Sequence, residues 1–226
     1  MKKVLLGGLF LSLFAISCSK DGDDGEEPVT AVYLNSKAGS TWNYETTDNA
    51  TPGTPETYTL TSTNRDSTVN GKSYHVYTNS SSGASEYNNK TGNDYYRFQA
   101  LPADLGGQNV EELYLKSGSA VNASWTQSFN IPAGIITFML TNTNKIVEKN
   151  ISRTVNGTLY NNVTHVKTDV AISGLPPGTV TITSDIHQYY APNYGMIEAN
   201  IKFTVDFMGS QQVTDVSTKL KSATLL

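Results

Sequence analysis

Apolar and polar side chains alternate with a period of two along much of the chain after residue 30. The apolar positions of one stretch are Val180, Ile182 and Ile186, and those of another are Ile201, Phe203, Val205 and Phe207. Successive strand residues point to opposite faces of a sheet, and this alternation is typical of antiparallel sheets with one packed face. Because no stretch shows the sustained 3.6-residue apolar repeat of a helix, the pattern predicts an all-β antiparallel fold.

Turn sequences separate the predicted strands. Asn70-Gly71 and Asn156-Gly157 are typical of two-residue hairpin turns, in which both central residues need positive φ. A longer turn is predicted at 174–178, where Gly and Pro dominate. Two segments stay open: 29–36 is a lead-in strand or a short helix, and 101–112 is a loop or one helical turn.

Four landmarks recur in the same order along the chain. A tryptophan (Trp42, Trp125) precedes each Asn-Gly hairpin, a His-Val pair (His75, His165) follows it, and a double tyrosine comes last (Tyr95-Tyr96, Tyr189-Tyr190). This order indicates an internal duplication, with halves at about 39–115 and 120–226. We therefore expect one domain over 30–226, built as a curved sheet or partly closed barrel, because about 200 residues can form a single core.

The N-terminus reads as an export signal and is set aside from the fold. Lys2 and Lys3 precede an apolar run at 4–16, which is shorter than the roughly 20 residues that span a bilayer. Ala15-Ile16-Ser17-Cys18 resembles a bacterial lipobox. The prediction is a signal peptide at 1–17 and a lipidated Cys18, so that the protein contacts the membrane through an N-terminal lipid.

An acidic segment without hydrophobic residues follows the cysteine. Residues 18–29 are predicted to form a flexible tether, because such a sequence cannot bury enough surface to offset its ordering entropy. Loss of residues 1–17 removes Lys2 and Lys3 and leaves 14 Lys and Arg against 20 Asp and Glu, a net charge of −6. This charge argues against a nucleic-acid partner.

Two further stretches carry a resemblance to a known group of proteins. Gly39–Tyr44 (GSTWNY) and Tyr189–Glu198 (YYAPNYGMIE) resemble marks of uncharacterised Bacteroidetes lipoproteins. The acidic run after Cys18 is similar to the surface-export signal of such proteins. The resemblance implies an outer-membrane, surface location and a curved sheet similar to the LolA/LolB lipoprotein-carrier fold, which can shelter acyl chains.

Motifs for catalysis and cofactor binding are absent from the sequence. It contains no HExxH, GxSxG, phosphate-loop or GxGxxG motif, so we expect no enzyme activity, no cofactor and no bound metal. His75 and His165 are expected on solvent-facing strand positions, with a metal or acid–base pair as the alternative. Asp185 and His187 share one strand face and form a candidate polar site. A hydrolase with two scattered carboxylates stays open.

Aromatic residues dominate the remaining candidates. Six of them are expected in the core: Trp42, Tyr44, Tyr58, Trp125, Phe129 and Phe138. Tyr189, Tyr190 and Tyr194 surround Pro192 and are candidate ligand-binding aromatics, or rings that close one end of the barrel. The leading hypothesis is a non-catalytic lipoprotein with an apolar or amphipathic ligand on a concave sheet. The alternative is a surface glycan-binding or adhesion module with exposed tyrosines.

Overall fold

The domain consists of β-strands. A computed structural model describes residues 31–51, 53–100, 108–133 and 136–226. The predicted signal peptide (1–17), the lipidation site Cys18 and the tether (18–29) lie outside the described residues. The described residues form twelve strands and no helix: β1 Thr41–Asp48, β2 Glu56–Val69, β3 Lys72–Asn79, β4 Ser85–Thr91, β5 Asp94–Ala100, β6 Asn109–Lys116, β7 Ser124–Ala133, β8 Ile136–Val155, β9 Thr158–Ser173, β10 Val180–Ala191, β11 Gly195–Phe207 and β12 Ser210–Thr224.

All twelve strands belong to one antiparallel sheet. Its order is β6-β5-β4-β3-β2-β1-β12-β11-β10-β9-β8-β7. Each strand therefore pairs with its sequence neighbour, except that β6 and β7 form the two edges, and β1 pairs with β12. The predicted all-β antiparallel class is confirmed. A meander of this kind needs only short connections, because antiparallel strands can be joined by tight hairpins.

The sheet curls until its two edge strands, β6 and β7, meet and form a nearly closed barrel. Their contact uses side chains of β7 instead of a backbone ladder. Gln127 accepts a hydrogen bond from Leu113 N (2.6 Å) and donates one to Glu111 O (3.3 Å), and Trp125 Nε1 donates to Leu113 O (2.7 Å). Unpaired strand edges are templates for aggregation, and these bonds satisfy part of the exposed backbone of β6.

Both Asn-Gly pairs form the hairpins that the sequence predicts. Asn70 and Gly71 have φ of 51° and 79°, and Asn156 and Gly157 have φ of 48° and 81°. These turns connect β2 to β3 and β8 to β9. Positive φ at two successive positions is the property of type I′ turns, whose twist matches that of the flanking strands.

The sequence left the secondary structure of two segments, 29–36 and 101–112, undecided. Residues 31–37 form neither strand nor helix. The end of the 101–112 segment belongs to β6, which begins at Asn109, while 101–107 lies outside the described residues. Among the described residues, no helix is long and apolar enough to cross a membrane.

The landmarks of the predicted duplication fall on corresponding strands with one exception. Trp42 is on β1 and Trp125 on β7, and the two Asn-Gly turns follow β2 and β8. The double tyrosines differ, because Tyr95-Tyr96 lie on β5, the fifth strand of the first half, and Tyr189-Tyr190 lie on β10, the fourth strand of the second half. The duplication itself stays a prediction.

Two clusters of side chains form the core. The first includes Trp42, Tyr44, Tyr77, Val163 and Leu220, and the second includes Tyr33, Tyr95, Leu115, Trp125 and Val166. Of the six aromatics expected in the core, Trp42, Tyr44 and Trp125 are buried, whereas Tyr58, Phe129 and Phe138 are half-buried.

Candidate functional site

A cavity of about 160 Å³ lies inside the curl of the sheet. Its walls are mainly aromatic: Trp42 and Tyr44 from β1, Tyr58 from β2, Tyr77 from β3, Tyr114 from β6 and Tyr190 from β10. Trp42 and Tyr44 are two residues apart, and Tyr58 and Leu60 likewise, so strand alternation directs both members of each pair to the same side. Aromatic rings from five strands therefore line the same cavity.

Part of the interior is occupied by the chain that precedes β1. Tyr33 is 4 % exposed, and its backbone N–H donates to the Tyr95 hydroxyl at 3.1 Å. Its own hydroxyl lies 3.1 Å from Thr164 Oγ1, and the Tyr77 hydroxyl donates to Asn35 O at 2.6 Å. The segment 31–37, which we call the strap, therefore closes one side of the cavity, which Tyr33, Leu34 and Asn35 help to line.

One wall of the cavity is polar. Arg97 on β5 donates to Glu112 at 2.8 Å, and Glu86 and Asn88 on β4 line the same space. Burial opposes the charge of Arg97, but the adjacent Glu112 carboxylate outweighs it and raises the pKa of the guanidinium above its ordinary value. Arg97 is therefore charged at physiological pH.

The tyrosine hydroxyls of the cavity are neutral at physiological pH. Burial, reinforced by Glu86, raises the pKa of Tyr58 to about 12. Burial also raises the pKa values of Tyr44, Tyr114 and Tyr190 above the ordinary value. Such hydroxyls both donate and accept hydrogen bonds, so the cavity combines apolar ring surface with neutral polar atoms.

Two buried donors have no acceptor among the described residues. They are the indole Nε1 of Trp42 and the guanidinium Nε of Arg97, and each atom has less than 1 Å² of accessible surface. Other atoms of both residues line the cavity. A buried donor without an acceptor costs about 1–3 kcal/mol, so these two atoms lower the stability of the fold.

The three candidate tyrosines separate in the structure. Tyr190 and Tyr194 line the cavity, and Tyr190 stacks on Tyr114 with ring centroids 5.5 Å apart. Tyr189 instead stacks on His165 at 4.3 Å, and the Arg153 guanidinium lies 3.4 Å from its ring centroid. Tyr189 and Tyr190 are only 9 % and 3 % exposed. A ligand-binding role of the three stays a prediction, but these two do not form exposed rings at a loop tip.

The candidate polar pair belongs to a longer chain of contacts. His187 Nε2 lies 2.8 Å from Asp185 Oδ1, as expected from their spacing on β10. His187 Nδ1 lies 2.8 Å from His165 Nε2, and His165 Nδ1 lies 2.9 Å from Glu148 Oε2. The chain Glu148–His165–His187–Asp185 connects β8, β9 and β10. Their sequence separations gave no signal for it.

The expectation that His165 faces solvent is wrong. His165 is 6 % exposed because Tyr189 covers its ring and His187 and Glu148 flank it. Burial lowers the pKa of His165, and the Glu148 hydrogen bond only partly offsets this. The alternative pairing with His75 does not form either, because β3 and β9 are not neighbours in the sheet. Within the described residues, no three His, Cys, Asp or Glu side chains are arranged to hold a metal.

His75 takes part in a second arrangement that the sequence did not predict. Its Nε2 lies 2.8 Å from Ser62 Oγ and its Nδ1 lies 2.9 Å from Asp66 Oδ1. The register of β2 and β3 is irregular between Ser62 and Asp66, which brings both residues to the same imidazole. The order Ser–His–Asp is that of a serine nucleophile set, but Ser62 is only 1 % exposed.

Comparisons with known proteins give a fold and no family. No protein-family model matches the sequence, and no curated protein matches it. The chain is similar to the crystal structure of a candidate lipoprotein from Parabacteroides distasonis, with a TM-score of 0.54, 14 % identity, and coverage of 86 % of this chain and 99 % of that one. A candidate exported protein with a YmcC-like fold from Bacteroides fragilis gives a TM-score of 0.45, 11 % identity and the same coverages. At these identities the likeness concerns the fold alone.

Proposed function

We propose that the mature protein is a non-catalytic lipoprotein, anchored to the bacterial outer membrane through Cys18 and exposed at the cell surface, whose barrel-like domain holds a small amphipathic ligand. The observation that supports ligand binding is the cavity of about 160 Å³ inside the sheet, with aromatic walls and a polar edge at Arg97 and Glu86. Ligand sites of proteins combine apolar and aromatic linings with a few placed polar groups.

The size of the cavity favours a ligand of about one ring. Sites for drug-sized molecules measure roughly 300–1,000 Å³, whereas an engineered cavity of about 150 Å³ holds benzene. A carrier of the LolA/LolB type would have to shelter whole acyl chains. The strap residues Tyr33 and Leu34 occupy space that such chains would need. We therefore propose a compact ligand in place of an acyl chain.

The non-catalytic part of the proposal rests on the burial of the Ser62–His75–Asp66 set. A serine nucleophile must reach a substrate carbonyl and needs free donors for the oxyanion. Ser62 is 1 % exposed, and its backbone N–H already donates to Ser40 O at 2.9 Å. In this proposal, the hydrogen bonds of His75 to Ser62 and Asp66 stabilise the irregular pairing of β2 and β3.

The anchoring part rests on the sequence at Ser17-Cys18 and the acidic run that follows. Metabolic labelling with a radioactive fatty acid should label the wild-type protein and should not label Cys18→Ala. Protease treatment of intact cells should remove the wild-type domain. Labelling of Cys18→Ala would contradict lipidation, and full protease resistance in intact cells, with cleavage after lysis, would contradict surface exposure.

Native mass spectrometry of protein purified from its host tests ligand binding. The wild type should carry an additional mass that is released on collisional activation. Leu60→Trp, which fills the cavity, should lose this mass, whereas Leu159→Trp should keep it because Leu159 is exposed beside the β8–β9 turn. A wild-type protein without any additional mass would contradict the proposal, as would equal retention by both variants.

A further inference from the structure

An unpaired carboxylate at the cavity indicates the chemistry of the ligand. Glu86 on β4 lines the cavity and is half-buried. Among the described residues, no Lys, Arg or His nitrogen lies within 4.0 Å of this carboxylate, and the bond that it accepts from Asn79 Nδ2 at 2.8 Å brings no charge. Resting on the proposed function, we infer that the cavity binds a compact organic cation of the alkylammonium class.

The nearby arginine does not neutralise Glu86, because it already has a carboxylate partner. Arg97 Nη2 donates to Glu112 Oε2 at 2.8 Å. One positive group therefore stands against two negative groups, and the charge of Glu86 remains. This charge acts on the walls of the cavity, since it helps to raise the pKa of Tyr44 and of Tyr58, which both line it. A field of this sign attracts a cation and opposes a carboxylate or a phosphate.

The aromatic walls favour a cation for a second, independent reason. Eight aromatic side chains line the cavity, and the face of each ring attracts positive charge. The Arg97 guanidinium carbon lies 5.8 Å from the ring centroid of Tyr114. Within the described part of the chain, no Lys or Arg lies over any of the other seven rings. Those rings are therefore available to a cationic ligand.

The size and the apolar lining of the cavity narrow the class of cation. A metal ion such as Ca²⁺ takes about six to eight oxygen ligands, whereas Glu86 is the one carboxylate among the described residues that line the cavity. An alkylammonium group instead packs its C–H groups against aromatic rings. A space of about 160 Å³ holds a group of the size of trimethylammonium and not a long chain. The ligand is a small free ammonium compound or the ammonium headgroup of a lipid.

Calorimetry with the purified protein and an isosteric pair of probes tests this inference. The probes are choline and its neutral carbon analogue, in which a tert-butyl group replaces trimethylammonium. We expect choline to bind about 10-fold more tightly, since it alone carries the charge that Glu86 and the ring faces attract. A neutral analogue that binds as tightly as choline would overturn the inference, as would the absence of binding by both choline and tetramethylammonium.

Glycerophosphocholine distinguishes the two sources of the ligand. It carries the choline headgroup of a lipid with the phosphate and glycerol but without acyl chains. Binding as tight as that of choline would support a lipid headgroup as the ligand. Failure of glycerophosphocholine, with choline still bound, would support a free ammonium compound.

A charge-removing variant separates the role of Glu86 from the shape of the cavity. Glu86→Gln keeps the length of the side chain and an oxygen that can accept from Asn79, but it removes the charge. It should weaken choline binding about 10-fold and leave binding of the neutral analogue unchanged. Glu45→Gln is the matched control, because Glu45 pairs with Lys221 outside the cavity and its loss should change neither affinity. Circular dichroism identifies any variant that does not fold.

The outcomes distinguish this inference from the proposed function. A host-derived ligand that is neutral or anionic would overturn the cation assignment and leave the proposed function intact. Equal weakening of choline and of its neutral analogue in Glu86→Gln would reject the electrostatic role of Glu86. Absence of binding by every probe and of any host-derived mass would overturn both the inference and the proposed function.

Discussion

His165 Nε2 lies 2.8 Å from His187 Nδ1, and the opposite nitrogen of each ring contacts a carboxylate, Glu148 for His165 and Asp185 for His187. These three hydrogen bonds need three N–H protons, because an ionised carboxylate only accepts. Two neutral imidazoles carry only two N–H protons between them. The complete chain therefore carries one additional proton.

The position of this proton is the first prediction. Burial lowers the pKa of His165, so we expect the His165 ring itself to stay neutral. In mildly acidic buffer, ¹⁵N NMR should show His165 as a neutral ring protonated at Nδ1. A charged His165 would contradict this assignment. His75, on β3, provides an internal reference spectrum.

The second prediction concerns stability in acid. His165 has a lowered pKa in the folded state, so the unfolded chain binds a proton more readily. Its contribution to stability is present above the ordinary histidine pKa of about 6.5 and is lost as the pH falls through the lower folded value. Urea unfolding from pH 8 to pH 5 should show this loss, and His165→Asn should reduce it. An unchanged slope in the variant would count against the role of His165.

The third prediction compares a buried with an exposed ion pair. Arg153 Nε donates to Glu198 at 2.6 Å, and Glu198 is 6 % exposed. Burial opposes ionisation of Glu198, but the bonds from Arg153 and Asn200 outweigh it and lower the pKa of the carboxyl, so this stability is lost below about pH 4.5. Glu198→Gln should cost about 2–4 kcal/mol at pH 7, because Arg153 would lose its partner.

Lys221→Ala is the control for that comparison. Lys221 bonds Glu45 at 2.8 Å, but it is about half exposed. Exposed pairs contribute roughly 0–1 kcal/mol, so this variant should unfold at nearly the wild-type urea concentration. Equal losses in the two variants would show that burial does not determine the strength of these pairs.

The fourth prediction tests the Ser62–His75–Asp66 arrangement. Folded protein should not react with a fluorophosphonate probe, because Ser62 Oγ is buried. Ser62→Ala should lower the free energy of unfolding by about 1–3 kcal/mol, since His75 would lose a hydrogen-bond partner. Stoichiometric labelling of the folded wild type that Ser62→Ala abolishes would establish a nucleophile and reject the non-catalytic proposal.

The sequence predicts local features of this molecule well. The period of two along β10 and β11 and the Asn-Gly turns at 70–71 and 156–157 report on neighbouring residues, and the structure confirms both. Trp42 and Tyr44 were also assigned correctly to the core. Each of these predictions depends only on strand geometry or on the backbone of a turn.

Long-range features were not predictable in the same way. The closing contact of Gln127 with Leu113 depends on the accumulated twist of twelve strands. Alternation separates the two faces of a strand but does not say what covers each face. For that reason His165 was expected in solvent, although Tyr189 and His187 from the next strand cover it. The set of side chains that line the cavity likewise comes from strands that are far apart in the sequence.

The most direct test of the ligand-binding cavity is a high-resolution crystal structure of protein purified from host membranes without denaturation. We predict ordered density for one ring-sized molecule inside the sheet, in contact with Tyr58 and Tyr190. A cavity that holds only water, or that Tyr33 and Leu34 fill completely, would contradict the account.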